Sequence, residues 1–170
     1  TLTCMIGDDD DFADAEICPL ILKTFGGKVV LTGPVGSGMA VKAINNVMNS
    51  AHLLVAAEGL LALRNFGVSP DVALEVINSS SGRSMATTDR VPQDVITGKF
   101  DYGFALNLMS KDCKIAADVM DVHFPEASLI KEVSSIMEKA CNSPFGGSRD
   151  YTNAVKYLES IAKTDLRVEK

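Results

Sequence analysis

The sequence predicts a mainly α protein, a helical bundle domain around one long central helix, preceded by a β-α-β unit. Residues 35–66 contain no proline and carry their glycines mainly near the ends. That permits one helix of about 30 residues, roughly 45 Å long at 1.5 Å per residue. Its latter part, AHLLVAAEGLLAL, is apolar on nearly every face, the mark of a helix buried among others rather than laid on a surface. Downstream, periodic apolar segments alternate with break signals to the end of the chain, as in a bundle.

Taken in order, LTCMIG (2–7) reads as a strand, residues 11–25 as a helix and KVVLTG (28–33) as a second strand. The Asp8-Asp9-Asp10 run can cap that helix and place negative charge at its positive end, while Gly26 and Gly27 stop it. Two strands and one helix cannot cover both faces of a parallel sheet, so this unit is expected to be a piece of a larger one. Gly67 ends the long helix. Ser69-Pro70-Asp71 then supplies an N-cap, a proline at the first helical position and an early acid for a helix running to about residue 77. NSSSGRS (78–84) is a polar loop, and helices follow at about 85–96, 106–123, 126–141 and 151–162. Pro125, the SPFGGS stretch (143–148) and Asp150 punctuate them.

With 170 residues and 46% apolar content, the chain builds one full core with a small appended unit. A formal net charge of -6 and a pI near 4.9 give no basic footprint for nucleic acid or anionic lipid. Cys4, Cys18, Cys113 and Cys141 form no C-x-x-C pair and only two histidines are present, which argues against a zinc site or a disulfide framework; no metal is expected. No uninterrupted apolar stretch reaches the roughly 18–20 residues of a membrane span, and the N-terminus lacks signal-peptide regions. The composition therefore suggests a soluble protein with reduced thiols, in cytoplasm or an organelle matrix.

On the first half of the long helix, Lys42, Asn45, Asn46, Asn49 and Ser50 fall at offsets of 0, 3, 4, 7 and 8, and so share one face. Buried amides and an ammonium are costly unless they find partners or line a wet cleft. A substrate cleft satisfies that demand; so does a face left to solvent before the helix enters the bundle. Lys42 is the side chain here that can exchange a proton with a substrate hydroxyl, provided that burial or a nearby positive charge brings a lysine down from its usual pKa of about 10.4. Asn46, one turn on, can hold a substrate oxygen. The GPVGSG turn (33–38) follows a strand and opens a helix, the context in which backbone amides bind phosphate. Its order, G-x-x-G-x-G, differs from the dinucleotide fingerprint, and no acid closes a second strand about 20 residues later. A domain junction near a ligand bound mostly elsewhere fits better.

GPVGSGMAVKAINN (33–46) resembles the lysine motif of the β-hydroxyacid dehydrogenases, G-x-G-x-x-x-K-x-x-x-N, with Gly36, Gly38, Lys42 and Asn46 at its fixed positions. This family includes 3-hydroxyisobutyrate dehydrogenase and tartronate, glyoxylate and succinic semialdehyde reductases. FALNLMSKDCKIA (104–116) resembles the family's F-x-x-x-L-x-x-K-D segment. SSSGRSM (79–85) also looks like the family, which often has an aromatic where Met85 stands.

The resemblance implies an oxidoreductase moving hydride between NAD or NADP and a small 3-hydroxy acid or semialdehyde. It makes Lys42 the catalytic acid/base, Asn46 and Asn45 substrate ligands and Lys111 a cofactor contact. Phe104 and Asp112 would line or support the cleft, and Gly36 and Gly38 would lie near the cofactor. It also implies that residues 1–33 are the terminal β-α-β piece of a Rossmann domain and 34–170 the all-α C-terminal domain. The family's nucleotide loop and substrate-holding Ser-Gly-Gly turn would lie upstream, so this piece alone is expected to be inactive. Homo-dimers or tetramers through the helical domain are implied as well. The rival reading is a helical dimerisation scaffold that has lost catalysis; retention of Lys42 and Asn46 favours the enzyme.

Overall fold

The computed structural model describes residues 2–8, 17–24 and 26–168, with side chains from 20 onward in the second stretch. The chain divides into two compact units, Thr1–Asn45 and Asn46–Lys170. Much of the predicted first helix, and Asp9 and Asp10 of its expected cap, lie outside the described residues.

In the N-terminal unit, β1 (Thr3–Gly7) and β2 (Lys28–Gly33) pair in parallel, with α1 (Ile17–Leu22) between them in sequence. The register runs Thr3 to Lys28 and Ile6 to Leu31, then slips so that Gly7 faces Gly33. The slip leaves Thr32 as the extra residue. Its hydroxyl donates to Ile6 O at 2.8 Å and lies 2.7 Å from Ser37 Oγ, tying the end of the sheet to the first residue of the next helix. Leu20, Ile21 and Leu31 are exposed, so this two-stranded unit leaves apolar surface uncovered.

The long helix α2 spans Ser37–Phe66, within two residues of its predicted bounds. Over its most apolar 18 residues the mean hydropathy is 1.2, so by length and average composition it could cross a membrane even without an unbroken apolar run. Part of its apolar surface is spent on a core, with Val47, Leu53, Leu54, Ala57, Leu60 and Leu61 all buried, while Met48, Val55 and Phe66 stay exposed.

The rest of the C-terminal unit is helical. Helix α3 (Pro70–Asn78) starts at the predicted proline. The predicted helix at 85–96 is present as Ala86–Val95, but wound as a π-helix. Pro92 lies within it and has no N–H to give. The ladder widens around it, and Ile96 N reaches Val91 O, five residues back, at 2.9 Å. Ser84 and Thr87 open the segment with a reciprocal pair of side-chain to backbone bonds, 2.9 and 3.3 Å, in the manner of a capping box.

Helix α4 (Leu106–His123) matches its predicted bounds and packs on α5 (Leu129–Cys141). Helix α5 begins three residues later than predicted, because 124–127 close a turn through Ala127 N to Phe124 O at 3.0 Å. Asp150 caps a short 3-10 turn, Tyr151–Asn153, that leads into α6 (Ala154–Ala162). Cys4, Cys113 and Cys141 are free thiols.

Candidate functional site

The polar stripe of α2 meets both fates left open by its spacing. Lys42 and Asn45 are exposed, Asn46 and Asn49 are half-buried and Ser50 is fully buried. In the C-terminal unit, each stripe residue has a partner from outside the helix. Asn46 Nδ2 donates to Asp112 Oδ2 at 2.7 Å, Asn49 Nδ2 lies 3.5 Å from the Tyr151 phenol oxygen, and Ser50 Oγ accepts from Cys113 Sγ at 3.4 Å.

Asp112 is the costly member of this set, a carboxylate almost wholly out of water on α4. Asn46 satisfies one oxygen, and the Lys111 ammonium stands 3.5 Å from the other while its own side chain remains 62% exposed. An ionised carboxylate only accepts, so the pairing decides which end of the Asn46 amide faces Asp112: the NH2. Burial raises the neighbouring Cys113 thiol to about 11, against a smaller lowering by the Ser50 bond. That thiol is a structural group, not a nucleophile.

Phe104 is half-buried and set edge-on to Tyr151, with ring centroids 6.4 Å apart. It is held there by Asp150, whose Oδ2 accepts from Gly103 N at 2.7 Å and Phe104 N at 3.1 Å, while Oδ1 accepts from Thr152 N at 3.0 Å. Tyr151 is fully buried with Asn49 Nδ2 3.5 Å from its phenol oxygen, and Arg90 stacks 3.5 Å above the Tyr102 ring. Burial raises the Tyr151 pKa, opposed by the Arg90 charge. Tyr151, Arg90 and Tyr102 carry no recognisable spacing relative to α2. Only the Asp150 cap signal hinted at this corner.

In the N-terminal unit, Gly36 has φ +90° and open space where a Cβ would stand, so the turn needs glycine for its backbone and leaves that face accessible. At Gly38 a Cβ would come within 2.6 Å of Met5 O, so this glycine lets α2 start hard against β1. Its surroundings are protein backbone, which gives Gly38 a packing reason of its own.

One long helix carrying a Lys-x-x-x-Asn turn, and a second helix carrying exposed Lys111 beside buried Asp112, are the features of a helical domain of the hydroxyacid dehydrogenase class. The family model described as NAD-binding of NADP-dependent 3-hydroxyisobutyrate dehydrogenase matches residues 36–158. The chain belongs to that family. It is 33% identical over 118 residues to 2-(hydroxymethyl)glutarate dehydrogenase of Eubacterium barkeri, covering 69% of this chain and 38% of that one. It is 30% identical over 166 residues to mitochondrial 3-hydroxyisobutyrate dehydrogenase of Mus musculus, covering 92% of this chain and 48% of that protein. The chain thus spans less than half the length of these relatives. A solved structure of 3-hydroxyisobutyrate dehydrogenase from Mycobacterium tuberculosis, with L-serine, shares the fold at TM-score 0.79 and 23% identity, over 92% of this chain and 54% of that one.

Proposed function

We propose that this chain supplies the helical half of an NAD- or NADP-dependent dehydrogenase acting on a small 3-hydroxy acid or its semialdehyde. Residues 34–170 form the all-α domain in this reading and residues 1–33 end an α/β cofactor domain; the uncovered apolar side chains Leu20, Ile21 and Leu31 support the latter. The observation that carries the reading is the Asn46–Asp112 bond. It locks the amide one turn after Lys42 on the same helix face, as a residue that must orient a substrate would be locked.

The residues present fit part of a dinucleotide. In the C-terminal unit Lys111 offers a largely exposed ammonium whose base is fixed beside buried Asp112, suited to an anionic group; in the N-terminal unit, taken by itself, Gly36 leaves an open face. Phe104 would lend an apolar wall. When bound, the nicotinamide accepts or returns hydride. Lys42 Nζ takes the hydroxyl proton in the oxidising direction and gives it back to the alkoxide oxygen in the reducing one. Asn46, with Asn45 exposed beside it, holds the substrate oxygen, while Asp112 acts through Asn46 as a positioning residue.

The uncovered apolar side chains of α2, among them Met48, Val55 and Phe66, favour a homo-oligomer formed through the helical domain. A reducing, aqueous compartment, cytoplasm or organelle matrix, suits the free thiols Cys4, Cys113 and Cys141. The test is reduced-nicotinamide formation by the full-length protein on a panel of small 3-hydroxy acids. Turnover of at least one supports the proposal. A folded protein that binds cofactor and turns over none returns the scaffold reading.

A further inference from the structure

Four residues, Lys99 to Tyr102, form a strap between two glycines of positive φ, Gly98 at +74° and Gly103 at +100°. Hydrogen bonds fix its ends: Phe100 N donates to Asp94 O at 3.0 Å, and Gly103 N to Asp150 Oδ2 at 2.7 Å. Among the described residues, the amides of Asp101 and Tyr102 between them donate no hydrogen bond. Phe100 is only 7% exposed although Lys99, Asp101 and Tyr102 are exposed. It also holds φ +51°, a left-handed conformation that a bulky side chain keeps only where its surroundings over-determine it.

Two cations close over the Phe100 ring. Lys156 Nζ, from α6, lies 4.1 Å from its centroid, and Arg167 Cζ, from the tail beyond α6, lies 5.5 Å from it. Arg167 also covers the hinge, since a Cβ at Gly98 would stand 3.7 Å from its Cδ. Glu159 and, at 3.5 Å, Asp165 pair with Arg167 and offset the repulsion of two cations drawn to one ring. The second ring of the strap, Tyr102, has Arg90 3.5 Å above it and meets the edge of Tyr151 at 5.5 Å. Phe104 meets the same Tyr151 at 6.4 Å. Phe100 is thus the far anchor of a segment whose near end places Phe104.

We propose that Lys156 and Arg167 are positioning residues for the cofactor: by clamping the Phe100 ring they fix the strap, and the strap fixes Phe104 as the apolar wall of the cofactor cleft. This rests on the dehydrogenase reading, in which Phe104 lines that cleft. Neither cation needs to touch the cofactor. With the clamp gone, Gly98 and Gly103 act as hinges for the residues between them, and Phe104 keeps only its Asp150 and Tyr151 supports. Cofactor affinity suffers, while the hydride step with cofactor bound depends on residues outside the strap. Among the described residues Lys156 forms no ion pair, so its removal strands no carboxylate and isolates the clamp.

The experiment compares the full-length protein with its Lys156→Met, Lys156→Arg and Phe100→Leu variants and with the Lys156→Met, Phe100→Leu double variant. Calorimetric Kd for NAD and NADP is measured beside the hydride step at saturating cofactor and hydrogen exchange of residues 101–104 without cofactor. Lys156→Met and Phe100→Leu should each raise Kd about 3- to 10-fold, as expected for one cation–π contact, and speed exchange at Gly103 and Phe104. The saturated hydride step should stay close to normal. Lys156→Arg, which keeps a cation over the ring, should restore both Kd and exchange. The double variant should bind no more weakly than the worse single one, because ring and cation act as a unit. Faster exchange with unchanged Kd would make the clamp structural only and overturn the proposal, as would no change in either. Should Phe100→Leu fail to fold, the two Lys156 variants decide alone. A wild-type protein that binds neither NAD nor NADP would remove the dehydrogenase reading and the cofactor role with it, while exchange would still judge the clamp itself.

Discussion

Asn46 and Asp112, 66 residues apart in sequence, meet at 2.7 Å, amide nitrogen to carboxylate oxygen, and each explains the other's position. The carboxylate could not stay buried without a donor, and the amide could not keep one orientation without a fixed acceptor. Asp112→Asn keeps the volume but lets either end of the Asn46 amide face it. Substrate KM should rise and kcat fall, together lowering kcat/KM by about 10- to 100-fold, with the melting temperature changed little. Steady-state kinetics beside a thermal melt check this; a lost fold with normal activity per folded molecule would make Asp112 structural only.

Two glycines of the same turn should respond differently to alanine. Gly38→Ala puts a Cβ within 2.6 Å of Met5 O, where backbone must move, and should cost about 1–3 kcal/mol of stability. Gly36→Ala meets no atom and carries only the strain of φ +90°, about 1 kcal/mol. Denaturant unfolding of both variants orders the two effects. If Gly36→Ala proves the worse, the packing reason given for Gly38 is wrong.

Burial of Cys113 gives the protein an alkaline weakness. Its thiol is raised from 9.0 to about 11, so the folded state holds that proton more tightly than the unfolded chain does. The contribution is complete below about pH 9 and is lost as pH rises through 11, at most about 2–3 kcal/mol. Tyr151, also raised by burial, adds a loss of the same sign at higher pH. Stability measured from pH 8 to 11 should fall less steeply in Cys113→Ser; an unchanged slope would assign the loss to other groups.

The tail after α6 is held by Arg64, whose Nη1 donates to Arg167 O at 2.8 Å, and by one buried carboxylate. Glu159 accepts from Leu166 N at 3.1 Å and from Arg167 at 2.5 Å, with Leu166 fully buried. Glu159→Ala leaves both donors unmatched and should destabilise the helical unit by about 2–4 kcal/mol, below a fully buried pair because Arg167 is partly solvated. Hydrogen exchange at Leu166 would report it; retained protection there would assign the tail's order to apolar packing and the Arg64 bond.

The helices were largely legible because their signals are local: Pro70 after Ser69 starts α3, and the 35–66 run has no proline to break it. The π-winding at 86–95 was not, since Pro92 permits a kink, a break or a widened turn, and packing chooses among them. The stripe on α2 was legible as a face, but spacing could not say where it stops being wet. That depended on Asp112, Cys113 and Tyr151, which come from far along the chain. Tyr151 and Arg90 stayed invisible because a lone tyrosine and a lone arginine have no period.

The most direct test of the central claim is single-turnover reduction of bound NAD or NADP by the full-length protein with its best 3-hydroxy acid, comparing the native chain with Lys42→Ala and Lys111→Ala. Loss of the proton acceptor should slow the hydride step of Lys42→Ala by at least about 100-fold with cofactor affinity nearly intact. Lys111→Ala should instead weaken cofactor binding while leaving the step itself close to normal. A Lys42→Ala protein that binds cofactor and reduces it at the native rate would contradict the account.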